Sequence, residues 1–295
     1  MKKLWVLLIL LVIFVSFEVG AMSGEPEKLE YSAVKHPRIK NIEMIEEFKI
    51  PQFGDLTRKI LIYLPPNYYQ NQKNYPVLYM QDGQNVFDEK TSFAGEWKVD
   101  ETINRLVEED KTQGAIVVAI YNSDKRACEY SPWKDNGNGV SIALGARYVD
   151  FIVKTLKPYI DNHYRTLAGR ENTGIAGSSY GGLISLYAAL KYQDVFSKAG
   201  VFSPVFTLGK SKIYDYVKKQ GKKDEMRIYM DLGEKEWEGS WWNKEFIKQG
   251  KRMDNLLKEV GFSKEEYLFV VDKDGYHNET SWSKRFPKAF LWLYE

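Results

Sequence analysis

The chain has 295 residues, 44% hydrophobic and 28% charged, a balance that excludes a disordered polypeptide and leaves room for one large α/β domain or two small ones. A net charge of +2, with no basic run interleaved with aromatics, argues against nucleic acid or an anionic membrane surface as partner. The single cysteine, Cys128, excludes an intramolecular disulfide, and three histidines without metal-ligand spacing argue against a catalytic zinc site; neither a metal nor a cofactor is expected.

The N-terminus has the layout of a secretory signal peptide over residues 1–21. Lys2-Lys3 precede the apolar run Leu4 to Phe17, and Val19-Gly20-Ala21 offer a cleavage site. That run has 14 residues, where a spanning helix needs about 20, although an uncleaved anchor is the alternative. Cleavage predicts a secreted or extracytoplasmic protein with no stable membrane association and a nearly balanced charge, 40 basic residues against 39 acidic. A chain of this length buries a core without disulfides even after export, so Cys128 reads as a small buried side chain.

Residues 22–40 form a polar lead-in, with His36 solvated. Beyond it, residues 41–295 read as a single domain. Two β-prone runs, Ile42 to Ile50 and Arg58 to Leu64, flank the turn Pro51 to Asp55 and predict an antiparallel hairpin. Short apolar runs predict further strands at Val77 to Met80, Ala115 to Tyr121, Thr173 to Ala176, Ala199 to Phe202, Met226 to Asp231 and Tyr267 to Val271. Helical spacing marks Val99 to Glu109, Ile142 to Tyr159, Leu183 to Leu190, Ile213 to Lys219, Trp242 to Val260 and Ser281 to Leu293. Residues 122–140 read as a loop. Alternating strands and helices indicate an α/β fold, a mostly parallel doubly wound sheet with an antiparallel N-terminal hairpin.

Gly177-Ser178-Ser179-Tyr180-Gly181 fits the G-x-S-x-G turn between a strand and a helix, which exposes its central serine as a nucleophile. A serine hydroxyl needs a base to take its proton. Of His36, His163 and His277, only His277 follows Ser179, the order such elbows require, and it lies in the loop after the last strand. His163 reads as structural. The acid that orients the imidazole should follow the Met226 to Asp231 strand, where Asp231, Glu234, Glu236 and Glu238 compete and spacing does not choose between them. An oxyanion needs backbone N–H donors: Tyr180 is one, and the loop Gln81 to Asn85 holds the other, with Gly83 permitting close approach.

These landmarks resemble the esterase D-type putative esterases, a branch of the α/β hydrolases. That branch includes carbohydrate acetyl esterases, feruloyl esterases, siderophore esterases and mycolyltransferases. The matching segments run from Arg58 to Trp282: Ile62 to Tyr68, Gln81 to Asn85, Gly95 to Trp97, Glu129 to Trp133, Tyr164 to Thr166, the elbow, Ser203-Pro204 and Gly275 to Glu279. The resemblance implies Ser179 as nucleophile, His277 as base, Glu236 as acid with Asp231 as runner-up, and the amides of Gln84 and Tyr180 as oxyanion donors. It departs at Tyr180, where the family usually has a small or flexible residue, often methionine; the phenol is expected to narrow or polarise the acyl pocket. The expected substrate is a small-molecule or oligosaccharide ester, with Trp97, Trp133, Trp237, Trp242 and Trp282 as candidate stacking platforms. A siderophore esterase, an acyltransferase and a non-catalytic binding protein are the alternatives.

Overall fold

Among the described residues, nine strands account for every apolar run read as β in the sequence. They are β1 (Val34–Lys35), β2 (Ile42–Lys49), β3 (Thr57–Tyr63), β4 (Val77–Gln81), β5 (Ile116–Ile120), β6 (Thr173–Ser178), β7 (Lys198–Phe202), β8 (Arg227–Gly233) and β9 (Tyr267–Asp272). The computed structural model describes residues 31–54 and 56–295, so the expected signal segment lies outside the described residues. β1 falls inside the polar lead-in and was not legible in the sequence: two exposed residues carry no alternation, and they join the sheet by pairing with Glu43 and Met44.

The strands form one sheet in the order β1-β2-β3-β5-β4-β6-β7-β8-β9. β2 and β3 make the antiparallel hairpin, Ile42 opposite Tyr63 and Ile45 opposite Ile60, with a bulge between Ile45 and Phe48. β3 meets β5 antiparallel, and from β5 to β9 the pairing is parallel. With the antiparallel start, this is the α/β-hydrolase fold. Strand order reverses around β4, and a crevice opens outside the carboxyl ends of the strands at such a point.

Helices cover both faces. Leu61, Tyr63, Leu78, Met80, Val117 and Ala119 alternate along their strands and bury one face against α1 (Val99–Glu108) and α8 (Glu279–Tyr294), through Ile103, Leu106, Phe286 and Phe290. Also present are α2 (Arg126–Glu129), α3 (Gly145–Phe151), α4 (Lys157–His163), α5 (Tyr180–Lys191), α6 (Ile213–Gln220) and α7 (Trp241–Glu259). The helix expected over Ile142 to Tyr159 begins at Gly145 and continues through α4, with a π-helical stretch at Ile152–Leu156 in its middle. Pro158 supplies the reason. Its ring crowds the carbonyl four residues earlier and it has no N–H to give, so the backbone widens there and Lys157 N–H reaches back to Ile152 O. The loop expected over residues 122–140 contains α2, a single turn too short for a periodic signal.

Candidate active site

Six segments at the carboxyl ends of β4, β5, β6, β7, β8 and β9 build the site. After β6 the chain turns at Ser179, whose backbone sits at φ 59° and ψ −122°, a conformation that L side chains rarely hold. Ser179 N–H donates to Phe202 O at 3.0 Å and its carbonyl accepts from Val205 N–H at 3.2 Å, so β7 and its following loop brace the turn. A side chain at Gly177 would place its Cβ 2.8 Å from Gln81 Cγ and 2.9 Å from the Gly181 carbonyl carbon, which is why glycine stands there.

After β4, Asp82 adopts a left-handed conformation and Gly83–Asn85 form one 3-10 turn. At Gly83 a Cβ would lie 2.7 Å from the carbonyl carbon of Ala119, so only glycine lets the turn pack on β5. Arg126 holds Asp82 with two contacts, Nε to Oδ1 at 2.7 Å and Nη2 to Oδ2 at 2.8 Å, and Asn122 Nδ2 adds a third at 2.6 Å. The Arg126 guanidinium also lies over the rings of Tyr130 and Tyr180, at 5.1 and 5.2 Å. The Tyr180 phenol therefore faces a cation, and its main-chain N–H belongs to the first turn of α5, where amides have no partner within the helix.

His277 lies in the loop between β9 and α8, with its side chain 15% exposed. Its Nδ1 is 2.7 Å from Glu236 Oε2. Trp237 stacks on the imidazole at 4.2 Å, while Phe246 and Trp282 meet it edge-on at 5.7 and 5.2 Å. Glu236 Oε1 accepts from Gly233 N–H and from the Ser203 hydroxyl. Of the four competing carboxylates, Glu236 is the one that reaches His277. Glu234 and Glu238 are exposed, and Glu238 accepts from Tyr276 OH at 3.0 Å. Asp231 is fully buried but turned away: it accepts from Ser203 N–H and Tyr229 OH and pairs with Arg285. Burial pushes the Asp231 carboxyl up to about 6, against the pull of Arg285.

Two cavities meet at Ser179 and His277. One, about 510 Å³, is lined by Tyr180, Val205, Leu208, Trp237, Trp242 and Phe246 among others. The other, about 470 Å³, takes in Gln84, Asn85, Phe93, Asn122, Arg126 and Glu279. Larger surface hollows elsewhere hold neither residue.

The tryptophans separate by this geometry. Trp237 and Trp242 line the first cavity. Trp242 is half exposed and stacks on Trp241 at 4.1 Å. Trp97 is 2% exposed, wedged among Phe202, Trp282 and Phe286, so it has no face for a ligand. Trp282 borders the second cavity but is 4% exposed and stacks on Trp97. Trp133 packs between Tyr187 and Tyr216, away from both cavities. These three belong to packing rather than to a stacking platform.

Sequence reading missed Arg126, Glu279, Ser203 and Arg285. Ser203 and Glu279 stood inside the matching segments, whereas Arg126 preceded one of them in a helix of four residues. His163 is structural as expected, its Nδ1 2.8 Å from Tyr159 O and its ring stacked on Tyr159. His36 Nδ1 accepts from the Arg38 and Ile39 N–H groups, so it caps a turn rather than being merely solvated. Cys128 is buried, as expected, with Sγ 3.6 Å from Gly139 O.

A family model described as "Putative esterase" matches residues 55–293. Uncharacterized protein YbbA of Bacillus subtilis (strain 168) is 25% identical over 248 residues, covering 80% of this chain and 92% of that protein. A solved ferulic acid esterase superposes with a TM-score of 0.65 at 18% identity, over 86% of this chain and 97% of that one. The enterobactin esterase FES from Shigella flexneri superposes with a TM-score of 0.67 at 18% identity, over 87% of this chain and 60% of that one. Likeness to these two structures at such identity establishes the shared fold.

Proposed function

The chain belongs to the putative esterase family, and from that membership we propose that it is an exported serine esterase that hydrolyses carboxylic esters through an acyl-enzyme on Ser179. The observation that carries this reading is the 2.7 Å approach of His277 Nδ1 to Glu236 Oε2 beside the strained elbow. An ionised Glu236 accepts the Nδ1–H and leaves Nε2 free to take a proton.

Ser179 Oγ attacks the ester carbonyl carbon and its proton passes to His277 Nε2. The oxyanion is met by the N–H groups of Gln84 and Tyr180. When the tetrahedral intermediate collapses, the C–O bond to the alcohol breaks and the alkoxide leaves with the proton from Nε2. Water then repeats the sequence on the acyl-enzyme and releases the acid. No metal or cofactor enters these steps.

For the substrate we favour acetyl or feruloyl esters of carbohydrates. The exposed indoles of Trp237 and Trp242 beside Ser179 offer flat faces for a sugar ring or an aromatic acyl group. Export rests on the layout of residues 1–21; no helix of the described residues is long and apolar enough to cross a membrane. Fluorophosphonate labelling and turnover of acetyl, feruloyl and siderophore esters test the reading together. Wild type should label at Ser179 and Ser179→Ala should neither label nor turn over. Near-normal turnover by Ser179→Ala would overturn the mechanism, and a preference for the siderophore ester would overturn the substrate.

A further inference from the structure

Behind the His277–Glu236 pair lies a buried cluster that the mechanism does not use. Ser203 follows β7 directly, is fully buried and holds φ at +39°, a backbone conformation unfavourable for any side chain. Its N–H is shared between Asp231 O and Asp231 Oδ1, both at 3.1 Å. The hydroxyl oxygen is met by Trp282 Nε1 at 2.9 Å and by Arg285 Nη2 at 2.8 Å, and it contacts Glu236 Oε1. Arg285 is fixed in turn by an ion pair, Nε to Asp231 Oδ2 at 2.9 Å, close in distance though not aligned as a hydrogen bond.

An inventory of protons decides the directions. Indole Nε1 and guanidinium nitrogens only donate, and a hydroxyl has one proton and two lone pairs. Trp282 and Arg285 occupy both lone pairs of Ser203 Oγ, so the hydroxyl proton has Glu236 Oε1 as its acceptor. Gly233 N–H reaches the same oxygen. With two donors on Oε1, a proton on that oxygen would oppose both of them, and Oε2 is left to face Nδ1.

We propose that Ser203 is a positioning residue for the reaction: Trp282 and Arg285 commit its hydroxyl proton to Glu236, which holds that carboxylate ionised as an acceptor for the His277 Nδ1–H. The inference rests on the serine esterase reading above. It also gives Trp282 and Arg285 a role without contact to substrate. Asp231, the runner-up acid, anchors Arg285 and reaches the imidazole only through Ser203 and Glu236.

Hydrolysis of p-nitrophenyl acetate by Ser203→Ala, Glu236→Ala, the double variant and Ser179→Ala tests it, alongside proton NMR of the low-field Nδ1–H resonance of His277. Ser203→Ala should lower kcat roughly 10- to 100-fold, the scale of a hydrogen bond to a charged group, with KM changed less than about twofold, and should broaden or abolish the resonance. In the Glu236→Ala background the same change should cost nothing further, because its effect passes through the missing carboxylate. Unchanged kcat in Ser203→Ala, or an equal fractional loss in both backgrounds, overturns the proposal. Should Ser203→Ala fail to fold, Trp282→Phe keeps the ring and frees one lone pair; kcat should then fall several-fold with a weakened resonance, and no change in either overturns it. Turnover surviving in Ser179→Ala would remove the esterase reading and this inference together, whereas an inactive Ser179→Ala beside a fully active Ser203→Ala removes the inference alone.

Discussion

Asn85 Nδ2 donates to Glu279 Oε1 at 2.8 Å, and this contact ties the turn after β4 to the start of α8, two residues beyond His277. The Asn85 carbonyl oxygens are also used: Oδ1 accepts from Phe93 N–H at 3.0 Å, and the main-chain oxygen from Trp97 N–H at 2.9 Å. The residue after Gln84 is thus held by a side chain from the first turn of α8. Burial raises the Glu279 carboxyl above the ordinary carboxylate range, with Asp82 adding to the effect and Arg126 and Asn85 opposing it.

Glu279→Ala should therefore loosen the turn that presents the Gln84 amide. We expect kcat to fall roughly 10-fold with KM little changed, within the range for one lost hydrogen bond to a charged partner. Glu279→Gln keeps an acceptor for Asn85 and should stay near wild type. Steady-state kinetics on the two variants check this, and equal losses in both would show that charge rather than the tie is what counts.

The two buried acids near the imidazole should differ sharply in kinetics. Glu236→Gln places an amide where Nδ1–H needs an anion, and kcat should drop by roughly 10⁴-fold, as when the acid of a serine triad is neutralised. Asp231→Asn leaves that contact in place and should cost less than about 10-fold, the lower end for a lost charged hydrogen bond. A reversal of this order would make Asp231 the functional acid.

That choice of acid marks how far the sequence was legible. The sheet was readable because buried parallel strands such as Ile116–Ile120 are continuous apolar runs. The elbow was readable because its glycines are fixed by steric contact. His277 followed from chain order. Nothing in Asp231-Leu232-Gly233-Glu234-Lys235-Glu236 says which side chain turns toward the imidazole, since that depends on how the loop folds back after β8; resemblance, not spacing, named Glu236. Ser203 and Arg285 were hidden for the same reason: 82 residues separate them, and only the fold brings them to 2.8 Å. The tryptophans failed differently. An indole's place in the sequence carries no information on its exposure, and Trp282 and Trp242 took opposite environments.

Stability should record the burial of Asp231. Its carboxyl moves from an ordinary 3.8 up to about 6 in the folded protein. The folded state then binds the proton more tightly than the unfolded chain, so this group's contribution is fully present below about pH 4 and is lost as pH rises through about 6. The swing is on the order of 3 kcal/mol at most. Urea unfolding of wild type and Asp231→Asn at pH 4.5 and 7 checks it. The difference in unfolding free energy should shift in favour of wild type at the lower pH, and a shift of the opposite sign would contradict the assignment.

The tryptophans offer a final separation, between stability and binding. Trp97 is enclosed by Phe202, Trp282 and Phe286, so Trp97→Ala should cost about 3–5 kcal/mol of stability, the range for removing a large core aromatic. Trp242 is half exposed at the mouth of the first cavity, and Trp242→Ala should change stability by less than about 0.5 kcal/mol. If its indole stacks on the substrate, KM for a feruloylated or acetylated oligosaccharide should rise roughly 2- to 10-fold, the worth of one aromatic contact. KM for p-nitrophenyl acetate, too small to reach the indole, should stay level. Quenching of tryptophan fluorescence by the oligosaccharide should shrink in the same variant. A rise in KM for both substrates would point instead to displacement of Trp237 or Phe246 around His277, because a lost sugar contact cannot be felt by an ester that carries no sugar.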